Sequence, residues 1–343
     1  MPRGGAHFKK DELRKVINHY DLGQVYQTKS LTAGNSRAAK AVVIAEKGKF
    51  LLKRRPKGKD NFYHAAFAHS IQKFLAKHDF PVTELIPTKQ DEKTILQLNS
   101  HIYENFRFVS GERYNGSRAQ TVRAGENLAL LHKYLKDFAN EFEPLKGSFH
   151  DSTSVRRHLK SITSQKNNNK NLRLRCTVNN LAKLYNDASC GVNQLGFDSW
   201  EMQIVHGDWH PGNMLFSKDE LVAVLDFDSV RFAPAVTDIA NGLLQFSIIA
   251  GRPKPSDWPD YFDQAKIDWF LTGYSSKFSI SPSCKAALVD LMIETMIAEA
   301  ILPIIATGFF GNLSGSEFLG MIDRKANWLA KNRDKLQQLI SRH

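Results

Sequence analysis

The segment from residue 205 to 228 constrains the fold more than any other part of this sequence. Two short apolar runs, Met214 to Phe216 and Leu221 to Leu225, flank a polar turn. This pattern predicts an antiparallel hairpin. Because positions equidistant from the turn lie opposite each other, Asn213 and Asp226 are expected at the same open end of the hairpin.

The polar residues around this hairpin are of the kinds that phosphoryl transfer from a nucleotide requires. Such a transfer needs a carboxylate that receives the acceptor's proton and oxygen ligands that hold Mg²⁺ on the phosphates. Asp208, in the loop before the hairpin, is a candidate for the first role. Asn213 and Asp226 are candidates for the second. The alternative is a surface hairpin without a function, but these oxygen-bearing side chains seldom meet at such spacings by chance.

The rest of the chain changes from strand-like to helical patterns. The first third predicts strands at 41–45, 50–54, 94–98 and 101–109 and helices at 11–20 and 64–77. The remainder is mainly helical, and the apolar segment 286–310 contains carboxylates that favour a buried helix over a membrane span. We therefore predict an α+β fold with two lobes. Residues 1–109 form a β-rich N-lobe with a small antiparallel sheet and one main helix, and residues 110–343 form a mainly helical C-lobe.

Charge is distributed unevenly along the 343 residues, whose formal net charge is +12. A basic insertion at about 146–185 contains a single acidic residue, Asp151. Nine basic residues lie there: Lys146, Arg156, Arg157, Lys160, Lys166, Lys170, Arg173, Arg175 and Lys183. The insertion is either a solvated helical surface or a site for an acidic partner or anionic ligand. It lacks interleaved aromatic residues, which argues against nucleic acid as a partner.

The cysteine residues and the N-terminal segment give an expectation for the cellular compartment of the protein. Cys176, Cys190 and Cys284 are far apart, and the first ten residues are polar and basic without a following apolar run. Neither a disulfide framework nor a signal peptide is indicated. A cytoplasmic protein without a membrane partner is the expectation, and the oligomeric state is left open.

The motif His206-Gly207-Asp208-x-His210-x-x-Asn213, followed by Asp226-Phe227-Asp228, resembles the signature of the aminoglycoside phosphotransferase and choline kinase family. That family includes type II homoserine kinases and spore-coat kinase-like proteins. The resemblance extends over most of the chain and implies a two-lobed protein-kinase-like fold. It also implies an enzyme that depends on ATP and Mg²⁺ and phosphorylates a hydroxyl group of a small molecule.

The resemblance also implies roles for individual residues. Asp208 would be the catalytic base or a carboxylate that orients the acceptor, and Asn213 and Asp226 would be Mg²⁺ ligands. The implied nucleotide-binding residues are Gly34, Asn35 and Ser36 in a phosphate-covering turn, Lys53 on a strand, and the hinge backbone at Arg107 and Val109. The implied supporting residues are His206, His210, Asp228 and Asp238. For Asp228, a second Mg²⁺ and the capping of a turn both remain open.

One departure from the family concerns the glutamate that usually pairs with the strand lysine from the N-lobe helix. No acidic residue lies between Asp60 and Asp79, so Lys53 must be oriented by another group, for which His69 and Gln72 are candidates. The departure is the one feature that favours a non-catalytic nucleotide-binding protein. A protein kinase is a further alternative, although no Ala-Pro-Glu-like segment follows Asp226.

The basic insertion also predicts the kind of acceptor. In the family, segments between the hinge and the catalytic loop help to form the acceptor wall, and here they carry the basic cluster. A polycationic aminoglycoside would be repelled by such a wall. We therefore expect a neutral, zwitterionic or anionic acceptor.

Overall fold

A computed structural model describes residues 6–31, 38–139, 145–164 and 172–343. The predicted turn at Gly34, Asn35 and Ser36 lies outside the described residues. The helices in these ranges are α1 Lys10–Ile17, α2 Phe62–Ala76, α3 Arg118–Leu135, α4 Thr153–Ser164, α5 Leu172–Gln194, α6 Val236–Ser247, α7 Gln264–Ser275, α8 Pro282–Thr307, α9 Gly315–Lys331 and α10 Arg333–Ile340. The strands are β1 Val25–Ser30, β2 Ala39–Ala45, β3 Gly48–Arg54, β4 Ile95–Leu98, β5 His101–Arg107, β6 Met202–Val205, β7 Met214–Ser217, β8 Glu220–Val224, β9 Arg231–Pro234, β10 Phe309–Phe310 and β11 Leu313–Ser314.

The chain divides into two compact units that are interleaved along the sequence. The first unit comprises Met1–Asn115, Tyr134–Leu145 and Gly212–Val230. The second unit comprises Gly116–Lys133, Lys146–Pro211 and Arg231–His343. The β7–β8 hairpin thus belongs to the first unit, whereas the sequence-based division at residue 109 follows chain order and remains a prediction.

The first unit contains an antiparallel sheet with the strand order β1-β2-β3-β5-β4. Strands β2 and β3 form a tight hairpin in which Ala45 lies opposite Gly48. Strand β5 pairs with β3 so that Glu104 lies opposite Lys53. Alternate side chains of these strands, such as Phe50 and Leu52, are buried in a core with helix α1. The sheet register therefore brings Glu104 and Lys53 together.

The predicted hairpin is present as β7 and β8. Met214 lies opposite Val224, and the backbone N–H of Leu225 donates to the carbonyl of Asn213 at 2.8 Å. The hairpin is attached to the hinge segment because Glu112 and Phe216 exchange two backbone hydrogen bonds, of 2.7 and 2.9 Å. At Gly111 a Cβ atom would lie 2.9 Å from the Cβ of Leu215, so this close approach requires glycine.

The second unit is mainly helical, as predicted. Helix α8 covers most of the apolar segment 286–310 and is buried along much of its length, including the carboxylate of Glu294. Helices α3 and α7 approach closely, since a Cβ atom on Gly125 would lie 2.1 Å from the carbonyl oxygen of Phe270. Within the described ranges, no helix combines the length and apolar character that a membrane crossing needs. Sheet and helices together agree with the predicted α+β class.

Candidate active site

The loop that contains Asp208 follows strand β6 in the second unit and is held by Asp238. One Asp238 carboxylate oxygen accepts the backbone N–H of His206 at 2.6 Å, and the other accepts that of Gly207 at 2.8 Å. Gly207 has a φ of 75°, which glycine adopts at little cost. Asp238 lies in the first turn of α6. The helix therefore fixes the beginning of the loop.

A buried chain of polar groups continues behind Asp238. His132 Nε2 lies 3.3 Å from the Asp238 carboxylate, and its Nδ1 lies 2.8 Å from the Tyr274 hydroxyl. Burial alone would raise the pKa of Asp238. The hydrogen bond and charge of His132, with the backbone N–H of Gly207, outweigh burial and hold that pKa below its ordinary value. Asp238 is therefore an ionised anchor for the loop.

Asp208 and His210 lie on either side of Trp209 in this loop. The Trp209 side chain is buried and packs edge-on against His206 with ring centroids 5.4 Å apart. Asp208 and His210 are instead about one-third exposed, at 37% and 32%, and His210 Nε2 lies 3.6 Å from the Asp208 carboxylate. Burial of the aromatic ring thus leaves a carboxylate accessible to a second reactant.

Glu299 of α8 adds a second carboxylate near Asp208, and the sequence reasoning did not identify it. The side-chain amides of Asn241 and Gln245, both on α6, donate to its two oxygens at 2.7 and 2.5 Å. Burial and the neighbouring carboxylate of Asp208 raise the pKa of Glu299 to about 7. Two neighbouring carboxylates can receive hydroxyl or ammonium donors of an acceptor.

The open end of the β7–β8 hairpin, in the first unit, bears the two predicted metal ligands. Asp226 has a left-handed backbone, with φ 58° and ψ 68°, and its side chain is 37% exposed. Asn213 is largely buried just before strand β7, where its backbone carbonyl accepts a hydrogen bond from the N–H of Leu225. One carboxylate and one amide are hard oxygen donors that suit Mg²⁺, which usually keeps several waters and binds few protein groups.

Among the described residues, no group of three or more His, Cys, Asp or Glu side chains is placed to hold a metal ion. An ion held by Asp226 and Asn213 would have to take its other ligands from water and from the phosphates of a nucleotide.

Lys53 of β3 lies among three carboxylates of the first unit. Its Nζ atom is 3.1 Å from Asp228, 3.7 Å from Glu104 and 3.7 Å from Asp226. Burial lowers the pKa of Lys53, but the three carboxylates outweigh burial and hold that pKa above its ordinary value. Lys53 is thus protonated, and its carboxylate partners come from a strand and from the turn after β8.

These partners differ from the candidates that the sequence suggested. Gln72 donates to the carbonyl of Ala68 in its own helix. His69 acts one step removed, because its Nε2 donates to Glu104 at 2.8 Å and Glu104 then faces Lys53. Glu104 on β5 and Asp228 after β8 therefore orient Lys53 in place of a helix glutamate.

Both oxygens of Asp228 contact basic groups. Arg55 Nη2 lies 2.7 Å from Oδ1, and Lys53 Nζ lies 3.1 Å from Oδ2. Burial would raise the pKa of Asp228, but the charges of Lys53 and Arg55 lower it below its ordinary value. These contacts favour a role in holding the two basic side chains over the alternative of a second Mg²⁺ ligand.

The hinge backbone around Arg107 is already hydrogen-bonded in part. The N–H of Arg107 donates to the carbonyl of Glu84 at 2.8 Å, and that of Phe108 donates to the carbonyl of Lys49 at 2.9 Å. Adenine recognition through the N–H of Arg107 would require the bond to Glu84 to break. Val109, which is half-buried beyond the end of β5, remains the other predicted contact.

Sequence reasoning missed Glu104, Arg55 and Glu299. A weak signal existed for the first two. Arg55 lies two residues after Lys53 and therefore on the same side of the chain, and Glu104 is the one acidic residue of strand β5. For Glu299 the sequence showed only an acid within an apolar helix.

A sequence model of the phosphotransferase enzyme family matches residues 27–274. A search of curated proteins by sequence found no match. Three solved structures are similar in fold over nearly the whole chain. Amicoumacin kinase in complex with AMP-PNP, Ca²⁺ and a ligand named Ami is 13% identical, with a TM-score of 0.67, and the match covers 96% of this chain and 94% of that chain.

The other two structures are an aminopropanol kinase and an antibiotic phosphotransferase. A microcompartment-associated aminopropanol kinase is 13% identical, with a TM-score of 0.66 and coverage of 96% and 99% of the two chains. Spectinomycin phosphotransferase in complex with ADP and spectinomycin is 14% identical, with a TM-score of 0.63 and coverage of 96% and 99%. At these identities the similarity concerns the fold, and it confirms the predicted protein-kinase-like class.

Proposed function

The chain belongs to the phosphotransferase enzyme family, and from this premise we propose that it transfers the γ-phosphate of ATP to a hydroxyl group of a small molecule. The observation that carries the proposal is the placement of Asp208. It is an accessible carboxylate on a loop whose backbone is fixed by Asp238.

In the proposed reaction Asp208 orients the acceptor hydroxyl and receives its proton as the oxygen attacks the γ-phosphorus, while the bond from that phosphorus to the β,γ-bridging oxygen breaks and ADP leaves. Mg²⁺, when bound, would neutralise charge on the phosphates. Asn213 and Asp226 would hold the ion, and Lys53 would contact the phosphates. His206 and His210 would support the loop, and the backbone at Val109 would contact adenine.

The Lys53 contacts also bear on the alternative of a non-catalytic nucleotide-binding protein. That alternative rested on the missing helix glutamate. Since Glu104 and Asp228 supply carboxylates to Lys53 in the first unit, the departure gives no reason to expect loss of catalysis.

The surroundings of Asp208 support a narrower proposal for the acceptor. Asp208, together with Glu299 when that carboxyl group is ionised, would provide negative charge at the proposed acceptor site. On the same helix Glu294 accepts hydrogen bonds from His150 and from the backbone of Asp151, at the start of the basic insertion. The insertion is thus anchored to α8 at a point about 7.5 Å along the helix axis from Glu299.

An acceptor that carries both an ammonium and an anionic group would suit these two features. Its ammonium group would bind near Asp208 and Glu299, and its anionic group would face exposed basic residues such as Arg157 and Lys160. We therefore favour a zwitterionic hydroxyl compound, such as a hydroxy amino acid, within the predicted class of neutral, zwitterionic or anionic acceptors.

The test is ATP consumption by the purified protein with a panel of hydroxyl compounds, including sugars, amino alcohols, hydroxy amino acids and aminoglycosides. The expected result is ADP formation that requires both Mg²⁺ and one acceptor class, with the phosphorylated product identified by mass spectrometry. Phosphate incorporation into protein alone, or no consumption with any acceptor, would contradict the proposal.

A further inference from the structure

Two basic side chains, Lys53 on strand β3 and Arg55 directly after the strand, contact the same two buried carboxylates, Glu104 and Asp228. Lys53 and Arg55 point to the same side of the chain because they are two residues apart. Arg55 is 4% exposed, and Glu104, which it contacts, is 1% exposed. The role proposed above uses only Lys53, so the presence of a second buried cation beside it needs its own explanation.

Arg55 makes the shorter and more directional contacts of the two. Its Nε and Nη2 atoms lie 2.8 and 2.7 Å from one oxygen of Glu104, and Nη2 also lies 2.7 Å from Asp228. Its Nη1 atom donates to the carbonyl of Lys59 at 3.1 Å. A guanidinium group is a rigid fork of donors, which suits a fixed bridge between two carboxylates.

Lys53 contacts the same carboxylates at longer distances, of 3.1 Å to Asp228 and 3.7 Å to Glu104. An ammonium group is a compact charge on a flexible chain and can change partners more easily than a guanidinium fork. If Lys53 turned toward a nucleotide and no other cation were present, Glu104 and Asp228 would remain buried without compensation, which is strongly unfavourable.

We propose that Arg55 is a positioning residue that neutralises Glu104 and Asp228 and thereby leaves Lys53 available for the phosphates of the nucleotide. The inference rests on the proposed function, because it assumes that Lys53 contacts ATP. It assigns the permanent structural bridge to Arg55 and the exchangeable contact to Lys53.

Arg55 also fixes the turn that contains the proposed metal ligand. Asp228 lies two residues after Asp226, whose backbone is left-handed, and the bridge from Arg55 connects this turn to the end of strand β3 and to Glu104. His69 supports the same bridge by donating to the Glu104 oxygen that Arg55 contacts.

The experiment compares Mg·ATP binding by calorimetry in the full-length wild type, Arg55→Gln, Arg55→Lys and the double variant Arg55→Gln/Asp228→Asn. Arg54→Gln is the matched control, since Arg54 is the adjacent residue at the end of β3 and pairs with Glu12 at 2.5 Å, away from this cluster. Thermal melting is recorded for each protein to separate binding from folding.

Without Arg55, Lys53 becomes the main cation for Glu104 and Asp228. Arg55→Gln is therefore expected to weaken Mg·ATP binding by roughly tenfold to a hundredfold, the range for hydrogen bonds to charged groups. Arg55→Lys should fall between this variant and the wild type, and Arg54→Gln should bind as the wild type does. In the double variant the carboxylate at position 228 is replaced by a neutral amide, which leaves Lys53 with Glu104 as its buried partner, so part of the lost affinity should return.

The decisive readout is affinity compared with melting temperature, because a purely structural role of Arg55 would change the two together across all variants. The inference predicts that Arg55→Gln loses affinity at temperatures well below its melting transition and that the double variant recovers affinity there. Equal binding by Arg55→Gln and the wild type, or no recovery in the double variant, would overturn the inference. If Arg55→Gln is unstable, Arg55→Lys with and without Asp228→Asn decides in the same way. Failure of the wild type itself to bind Mg·ATP would instead overturn the proposed function and this inference with it.

Discussion

Asp208 is separated from the anchored part of its loop by a single peptide unit, since Asp238 binds the N–H groups of His206 and Gly207. The carboxylate is thereby held in place while it stays accessible. A residue in this position can act on the acceptor without contributing to nucleotide affinity.

Substitution Asp208→Asn is therefore expected to lower kcat by about 10²–10⁴-fold, the usual contribution of a general base. ATP affinity should stay close to that of the wild type, because the lost interaction belongs to the transition state and not to nucleotide binding. Steady-state kinetics and ATP titration measure the two effects. Asp219→Asn, in the exposed turn between β7 and β8, is the control, and an Asp208 variant with most of its activity would refute the assignment.

The two residues at the hairpin end should differ in their effect on metal binding. Asp226→Ala is expected to remove most of the Mg²⁺-dependent part of ATP binding, with a loss of roughly tenfold or more, because a charged oxygen ligand is lost. Asn213→Ala should weaken Mg²⁺-dependent ATP binding less, because an amide is a weaker ligand than a carboxylate. ATP titrations with and without Mg²⁺ provide the measurement. The same ATP affinity in both conditions for the wild type would count against both ligands.

Local motifs explain why some candidate site residues could be proposed from the sequence and others could not. Asp208, Asn213 and Asp226 lie in one segment with a recognisable spacing. Glu104 reaches Lys53 only through the pairing of β3 with β5, where a slip by one residue would turn its side chain to the other face of the sheet. No sequence pattern specifies that register.

Secondary-structure elements show the same dependence on local patterns. The β7–β8 hairpin was predicted because its two apolar runs flank a polar turn. Strand β1 was not predicted, since all six of its residues are exposed at the edge of the sheet and show no apolar alternation. Residues 32–37 lie outside the described ranges, so the phosphate-covering turn at Gly34, Asn35 and Ser36 stays a prediction.

At the scale of elements, helix α8 anchors the start of the basic insertion through Glu294. This carboxylate accepts hydrogen bonds from His150 at 2.8 Å, from the Asp151 backbone at 3.0 Å and from the Ser189 hydroxyl at 2.5 Å. Burial lowers the pKa of His150, but Glu294, Asn193 and Asp151 outweigh burial and raise it above its ordinary value. The contact is therefore strongest when His150 is protonated.

This contact makes stability depend on pH. Because the pKa of His150 is higher in the folded than in the unfolded chain, its contribution is fully present below about pH 6.5 and is lost as pH rises through the folded pKa. At pH 6, His150→Gln should lower the free energy of unfolding by about 1.5–3 kcal/mol, the range for a charged hydrogen bond, and the difference from wild type should shrink as pH rises. Denaturant unfolding of both proteins from pH 5.5 to 8.5 measures this difference in the free energy of unfolding. His64→Gln, at an exposed position on α2, should show no such trend, and a loss for His150→Gln that does not change with pH would contradict the prediction.

At the scale of the whole molecule, each unit carries a different part of the proposed chemistry. The first unit contains the Lys53 cluster and the hairpin end with Asp226, and the second contains Asp208 and Glu299. The units are interleaved, so the segment from β6 to β9 contributes to both. The periodicity of the sequence predicted the classes of element well, but it could not show that the hairpin makes its contacts with the first unit.

The preference for one acceptor over another depends on how charges are arranged over the whole second unit. Two unit charges about 4 Å apart interact by about 4 kcal/mol at an effective dielectric of 20, so the sign of charge on the acceptor has a large effect on binding. In the proposed site a polycationic aminoglycoside could bind Asp208 and Glu299, but it would also meet the exposed basic residues of α4 and α5 if these line the site. A hydroxy amino acid matches both signs.

We therefore expect kcat/KM for a hydroxy amino acid to exceed that for a sugar and for an aminoglycoside, when ATP consumption is measured in parallel. Glu299→Gln should raise KM for the hydroxy amino acid by roughly tenfold, as for loss of one charged hydrogen bond, and should change KM for the sugar much less. Glu317→Gln, at an exposed position on α9, should change neither value. Because Glu299 has a pKa of about 7, the effect of its substitution should grow as pH rises from 6 to 8 and the carboxylate ionises. Efficient phosphorylation of the aminoglycoside alone would show instead that the basic insertion does not contribute to the acceptor site.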